Sequence, residues 1–295
     1  MTPLANWISH HAKSDHAPPK TLPAFLRWAL RGSEPVLLIS AAASITAGIV
    51  EMLSGLVLGL VIDTSMASPR EALFSENFWM LSAAIVFFLL IRPLALGASS
   101  VMQSYVVAPN VHNLVLSRLH RWVLGHSISF FDNDFAGRIA QKEMQTARAV
   151  TDVVVEILHT VLFAMASVLG ALAVLGAINL FMGSALLLWI LSYVMVIRHF
   201  MPLIRARSAT RAGARANVTG QVVDTVTNIK TVKLFAHDGH EDQAALTAMD
   251  GYRSAALDHA RVSVVFRFWL MGLAGILPIV LVGSTLVSWS QGHGS

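Results

Sequence analysis

Five long stretches of this chain carry almost no charge, and that feature limits its fold more than any other. They run over about residues 35–64, 78–108, 153–177, 181–200 and 262–289. A helix rises about 1.5 Å per residue and a bilayer's hydrocarbon core is about 30 Å thick, so about 20 apolar residues cross it. Each stretch therefore predicts one membrane-spanning helix. The whole composition agrees, at 55% hydrophobic and 13% charged residues. A soluble domain is about 25% charged, so an ordinary soluble enzyme and a disordered chain are both excluded. Pro35 suits the first turn of its helix, because it lacks an N–H that would go unused there. Asp63-Thr64 and Pro69 end the first span. Arg92-Pro93 interrupts the second, Asn179 marks a tight turn after the third, and Pro202 closes the fourth.

Charge sets the sidedness. Lys13, Lys20, Arg27 and Arg31 precede the first span. Arg118, Arg121, Arg138, Lys142 and Arg148 lie between the second and third, and nine more Lys and Arg lie between the fourth and fifth. The opposite side holds only Arg70. By the positive-inside rule the N-terminus and both long connections are cytoplasmic, in a multi-pass protein of the inner or plasma membrane. The net charge of +4 then needs no nucleic-acid partner. The chain has no cysteine, which removes disulfides, zinc–thiolate sites and thiol catalysis.

Residues 1–20 are polar, with His10, His11 and His16 among them, and read as a flexible cytoplasmic tail rather than a metal site or a cleavable signal peptide. Residues 21–34 alternate Leu22, Phe25, Leu26 and Trp28 with Arg27 and Arg31, the pattern of a short interfacial elbow helix. Residues 35–295 form the membrane domain. Gly55 and Gly59 have the small-xxx-small spacing that lets membrane helices approach closely.

The two long connections, 109–152 and 201–261, are not loop-like. Val111, Leu114, Val115, Leu119 and Val123 recur at helical spacing, and 139–152 contains neither proline nor glycine. Both segments read as membrane helices continued into the cytoplasm as amphipathic rods, with turns near 127–137 and 228–239.

At those turns the residues carry a resemblance. Ser129-Phe130-Phe131-Asp132 followed by Gly137-Arg138-Ile139 resembles the first intracellular loop of ABC exporters. Thr231-Val232-Lys233-Leu234-Phe235 resembles the second, with Asp224 where the preceding acid is usually Glu. Arg92-Pro93-Leu94 and Asn133-Asp134-Phe135-Ala136-Gly137 are similar to a bacterial multidrug-type subset. Thr146 departs from the Asp that many members carry. The resemblance implies an all-α transmembrane domain whose loop tips are coupling helices that dock on a nucleotide-binding domain. Phe130, Phe131, Asp132, Gly137, Arg138, Thr231, Val232, Lys233 and Phe235 are then the coupling residues. The aromatic pair would be the anchor, Asp132 a cap and Gly137 the sharp turn.

The family's members have six spans and then a nucleotide-binding domain, so the resemblance implies a domain truncated before its sixth helix. No Gly-x-x-x-x-Gly-Lys-Ser/Thr loop occurs, since no glycine here precedes a lysine. ATP and Mg belong to the absent domain, and this chain alone should not hydrolyse ATP. Leu53-Ser54-Gly55 lacks the second glycine of an ABC signature. The expected partners are the bilayer, a nucleotide-binding domain and a second half-transporter, identical or not, and the cargo is a lipophilic or amphipathic drug, lipid or peptide.

Inside the spans, Glu51 and Arg92 are charged near mid-membrane, with Glu156, His159 and Arg267 nearer the ends. Glu51 and Arg92 either line a translocation cavity or pair with each other or with backbone groups to fix helix register. An ion-coupled secondary transporter or channel using these two residues is the alternative function, and a silent membrane scaffold or non-functional fragment a further one. His237 and His240 at the second turn lack a third ligand, so no metal is expected there.

Overall fold

The computed structural model describes residues 7–9, 11–12, 17–69, 73–132, 136–234 and 238–291, with backbone alone at 132, 136–138, 238–241 and 288. Among the described residues there is no strand. Five helices are long and apolar enough to cross a membrane: Glu34–Ala67, Phe78–Leu124, Ile139–Ile178, Leu180–Thr227 and Asp242–Val287. The all-α membrane architecture follows from the five apolar stretches, because a helix satisfies its whole backbone within one segment without water, and stretches this long exceed a barrel strand. The longest has 48 residues, about 70 Å at 1.5 Å per residue and far more than hydrocarbon needs. The chain divides into two compact units, Met1–Ala173 and Val174–Ser295.

The first unit begins with α1 (Leu22–Leu30), which packs Trp28 and Ala29 inward. Gly32 follows at φ 87°, a left-handed turn that favours glycine, and α2 (Glu34–Ala67) starts with a proline in its first turn. After α3 (Leu73–Glu76), one long helical path runs through α4 (Phe78–Val86), α5 (Arg92–Val101) and α6 (Ala108–Leu124). Wide π turns at Phe87–Ile91 and Met102–Val107 join these segments. Arg92-Pro93 therefore does not interrupt the second span, as the sequence led us to expect. Proline clashes with the carbonyl four residues back, and here those residues, Leu89 and Tyr105, lie within the π turns that precede Pro93 and Pro109. The path turns at α7 (Ile128–Asp132) and returns as α8 (Ala136–Val155), a third π turn (Glu156–Val161) and α9 (Leu162–Ile178).

The dense core of this unit starts at the ends of the apolar stretches and continues beyond them. Val111, Leu114, Val115 and Leu119 of α6 meet Ala147, Val150 and Val154 of α8, with Trp28 and Ala29 of α1 against them. Ile8 is buried in the same cluster at 1% exposure. The segment expected to be a flexible tail is therefore docked at Ile8, because an apolar side chain in water gains by burial against a preformed apolar face. The membrane helices behave differently: Trp79 is 84% exposed and Phe268 77%. Lipid is as apolar as these side chains, so nothing drives them inward.

In the second unit, α10 (Leu180–Thr227) is capped by the Asn179 side chain, which accepts from the Phe181 N–H at 2.8 Å. It runs unbroken through Pro202. After α11 (Ile229–Leu234), α12 (Asp238–Ser290) packs antiparallel along it. Trp189 Nε1 donates to the Leu273 carbonyl at 2.6 Å, the Phe200 and Phe266 rings lie 5.6 Å apart, and Arg207 reaches Asp258 at 3.7 Å.

Close helix approach falls at other glycines than expected. A Cβ at Gly55 or Gly59 meets no described atom within 4 Å, whereas at Gly48 it would lie 2.5 Å from the Phe163 carbonyl oxygen and 3.0 Å from Ala166 Cβ. The Gly48 carbonyl also accepts from Ser167 Oγ at 2.8 Å. Gly48→Ala should therefore separate α2 from α9 and cost about 1–3 kcal/mol as overpacking. Gly55→Ala should leave stability within about 1 kcal/mol or raise it. Denaturation of both variants in detergent reads the difference.

Candidate functional site

The first polar tip is built on an aromatic chain. Trp122 and His126, one turn apart at the end of α6, contact at 4.4 Å between ring centroids; His126 meets Phe130 at 4.3 Å, and Phe130 meets Phe131 edge-on at 5.3 Å. His126 Nδ1 lies 3.0 Å from the Trp122 carbonyl, which requires its proton on that nitrogen. The Phe130 N–H donates to the Ser127 carbonyl at 3.0 Å and starts α7. Phe131 remains 38% exposed at the tip. Gly137 already lies in the first turn of α8, so its backbone is helical there and it does not form the sharp turn expected of it. Arg138 follows it in the same helix, and Asp132 ends α7.

The second tip is α11. Thr231 and Val232 donate their N–H groups to the Asn228 carbonyl at 2.9 and 3.1 Å, and Asn228 Nδ2 donates to Asp224 Oδ1 at 3.0 Å. Asp224 therefore braces the turn into α11 instead of standing free. Val232 is buried, Lys233 is exposed, and the two border a recess of about 400 Å³ shared with Val222, Val226, Ile229 and Asp242. Phe235 and His237 lie outside the described residues.

Within the apolar stretches of the first unit, two polar layers join neighbouring helices. Arg92 Nε and Nη2 donate to the two Glu51 carboxylate oxygens, both at 2.9 Å. This is the bidentate fork that makes arginine–carboxylate pairs strong and specific. Two turns away on the same faces, Ser44 Oγ lies 3.0 Å from Ser99 Oγ, which in turn lies 3.3 Å from His159 Nδ1. Ser44 and Ser99 are each 1% exposed, and His159 projects from the third π turn. Of the two roles the sequence left open for Glu51 and Arg92, mutual pairing is the geometry present. Each layer joins residues far apart in sequence, so each fixes the register of α2 against α5.

Arg118 is the residue that sequence reasoning passed over. Counted there only as one inside charge, it is 4% exposed. Its guanidinium donates to four backbone carbonyls: Nε to Ala12 at 3.2 Å, Nη1 to Trp28 at 2.7 Å and Ala29 at 3.0 Å, and Nη2 to Arg31 at 2.7 Å. The last carbonyls of a helix have no partner within it. Here Arg118 takes those of Trp28 and Ala29, and Ser33 takes that of Leu30 through its N–H and Oγ. A cation thus caps α1 from another helix, where the helix dipole favours it. The signal was present: Val111, Leu114, Val115, Arg118 and Leu119 share one face, so the arginine interrupts a buried stripe.

Two consequences are measurable. Arg118→Ala should cost about 3 kcal/mol, because several charge-assisted bonds go and carbonyls are left buried. Hydrogen exchange over 22–31 should accelerate, and Arg118→Lys should restore only part of the loss, since an ammonium lacks the planar fork. For the membrane pair, Glu51→Gln and Arg92→Gln should be non-additive, with a coupling energy of about 1–2 kcal/mol in a double-mutant cycle of detergent denaturation.

Two comparisons with known proteins bear on what these helices belong to. The model of the ABC transporter transmembrane region matches residues 37–293. An uncharacterized ABC transporter ATP-binding protein of Haemophilus influenzae is 27% identical over 282 residues, covering 94% of this chain and 45% of that protein. The chain thus spans a little under half the length of that relative. A match running from the start of the first membrane helix to the end of the fifth leaves one conclusion: the chain belongs to the transmembrane region of the ABC transporters.

Proposed function

We propose that this chain is the membrane-spanning part of an ATP-driven exporter half-transporter, which pairs with a second half to move a lipophilic or amphipathic drug, lipid or peptide. Its N-terminus and both tips face the cytoplasm of a cell with this protein in its inner or plasma membrane. The observation that carries the reading is the pair of long helical hairpins, each with a short separate helix at its tip: α7 with the aromatic pair and α11 with the Thr-Val-Lys run. A continuous helix carries a displacement at its tip to the membrane with little loss. The half-exposed Phe131, backed by the stacked Phe130, His126 and Trp122 rings, has the form of an aromatic anchor for a pocket on a partner domain.

Nothing in this chain fits ATP, because no glycine is followed by lysine and the phosphate-cradling loop is missing. Nucleotide and Mg are therefore assigned to a nucleotide-binding partner domain. This chain's part is to receive that domain's movement at Phe130, Phe131, Val232 and Lys233, and to change the packing of its membrane helices in response. Asp132, Gly137, Arg138, Thr231 and Phe235 complete the proposed contact segments.

Glu51 and Arg92 are assigned to the wall of the translocation path. Joined by two hydrogen bonds, they present no net charge. That suits a lipophilic or amphipathic cargo better than an ion, and it weighs against ion-coupled transport through these residues. The test is vesicle transport by the assembled transporter with its nucleotide-binding domain. Replacing Phe130 and Phe131 together by Ala should leave nucleotide hydrolysis running while transport per ATP falls at least tenfold. Transport that persists unchanged, or that follows an ion gradient without nucleotide, defeats the reading.

A further inference from the structure

We propose that the turn between α1 and α2, with the adjoining side of α6, binds the headgroup of one anionic phospholipid through Arg31 and Arg121, with Arg27 at its rim. Arg31 stands exposed at the C-terminal end of α1, and Arg27 is exposed one turn earlier. Arg118 Nη2 reaches the Arg31 carbonyl at 2.7 Å, and Arg121 follows Arg118 by three residues on α6, so Arg31 and Arg121 flank the same buried guanidinium.

One acid, Glu34, acts on this cluster and offsets one of its positive charges, while its carboxylate accepts the Gly32 N–H. Among the described residues, Arg27, Arg31 and Arg121 have no carboxylate within ion-pair distance. Nη1 of Arg121 is enclosed and has no hydrogen-bond partner, although the side chain as a whole is half-buried. A buried donor without a partner is uncommon and costly. A headgroup oxygen would satisfy it after a rotation of the side-chain tip.

The C-terminus of a helix ordinarily repels anions, because its unpaired carbonyls carry partial negative charge. Here the carbonyls of Trp28, Ala29 and Arg31 are spent on Arg118. The usual sign is cancelled, and the arginine side chains dominate the local field. Paired guanidinium groups match the oxygens of a phosphodiester well.

Position selects a lipid as the source of that phosphate. Arg31 sits at the entry to α2, whose apolar stretch begins at Pro35, so it lies at the depth of headgroups, with Arg121 on its cytoplasmic side. The same two helices carry exposed apolar surface for acyl chains: Leu22 of α1 is 69% exposed and Leu38 of α2 is 70% exposed. Basic groups just outside a membrane helix attract anionic lipid, each strengthening binding about fivefold.

The experiment is native mass spectrometry of the detergent-purified full chain, titrated with dioleoylphosphatidylglycerol against dioleoylphosphatidylcholine. The wild type should retain one phosphatidylglycerol in preference to phosphatidylcholine. Arg31→Gln, an exposed change that leaves the core intact, should weaken retention about fivefold, and Arg31→Gln with Arg121→Gln about 25-fold. Arg205→Gln with Arg215→Gln, exposed arginines on α10, should change nothing. Inorganic phosphate at equal concentration should not displace the lipid. Equal retention by the Arg31 variants overturns the proposal, as does equal loss in the α10 variant. Displacement by phosphate overturns it in favour of a free-anion site.

Discussion

Inside hydrocarbon a backbone has no solvent to bond to, and the rest of this structure is arranged around that constraint. Each crossing segment must be helical along its whole length, so prolines are absorbed and not used as breaks. Pro93 and Pro109 follow π turns that move their neighbours' carbonyls out of the ring's way. Pro202 and Pro278 lie within α10 and α12 without ending them. The same continuity carries the helices well past the apolar stretches. That is what turns a set of membrane spans into rods that reach beyond the membrane.

Packing then follows two regimes. In water, apolar side chains gain by leaving solvent, and most of the buried cluster of the first unit forms past the apolar stretches, from Ile8, Trp28, α6 and α8. In lipid that drive is absent, and helices are held by close approach and polar contacts instead. Gly48 against Phe163, the Glu51–Arg92 fork and the Ser44–Ser99–His159 layer are those devices in the first unit. Trp189 on the Leu273 carbonyl serves the same purpose between α10 and α12. Arg118 works at the boundary between the regimes, where it ties the elbow helix to the rod through carbonyls that would otherwise be buried without partners.

How much of this was legible depended on whether the cause was local. The five helices and their continuation beyond the membrane could be read, because hydropathy and helical spacing act along one segment; the short helices at both tips were implied only by the family resemblance. The choice of Gly48 over Gly55 and Gly59 could not, because small-residue spacing marks where an approach is permitted and not where a neighbour arrives. The docking of Ile8 was equally invisible, since a lone isoleucine in a polar segment gains nothing until α6 and α1 offer it a face. Gly137 was assigned a turn through the family resemblance, yet glycine is tolerated in the first turn of a helix, where it lies in α8.

Sequence alone determined that this is an all-α membrane protein with two long polar rods, since the cost of charge in hydrocarbon and the length of a spanning helix leave no other fold for such stretches. The tertiary structure decided which polar side chains meet. Glu51 found Arg92 across 41 positions, and Arg118 found carbonyls some 90 positions away. Such pairings depend on the register between helices, which is a property of the packed assembly and of no single segment. For the same reason an arginine that reads as one more inside charge in the sequence becomes, once the helices are packed, the cap on which the elbow depends.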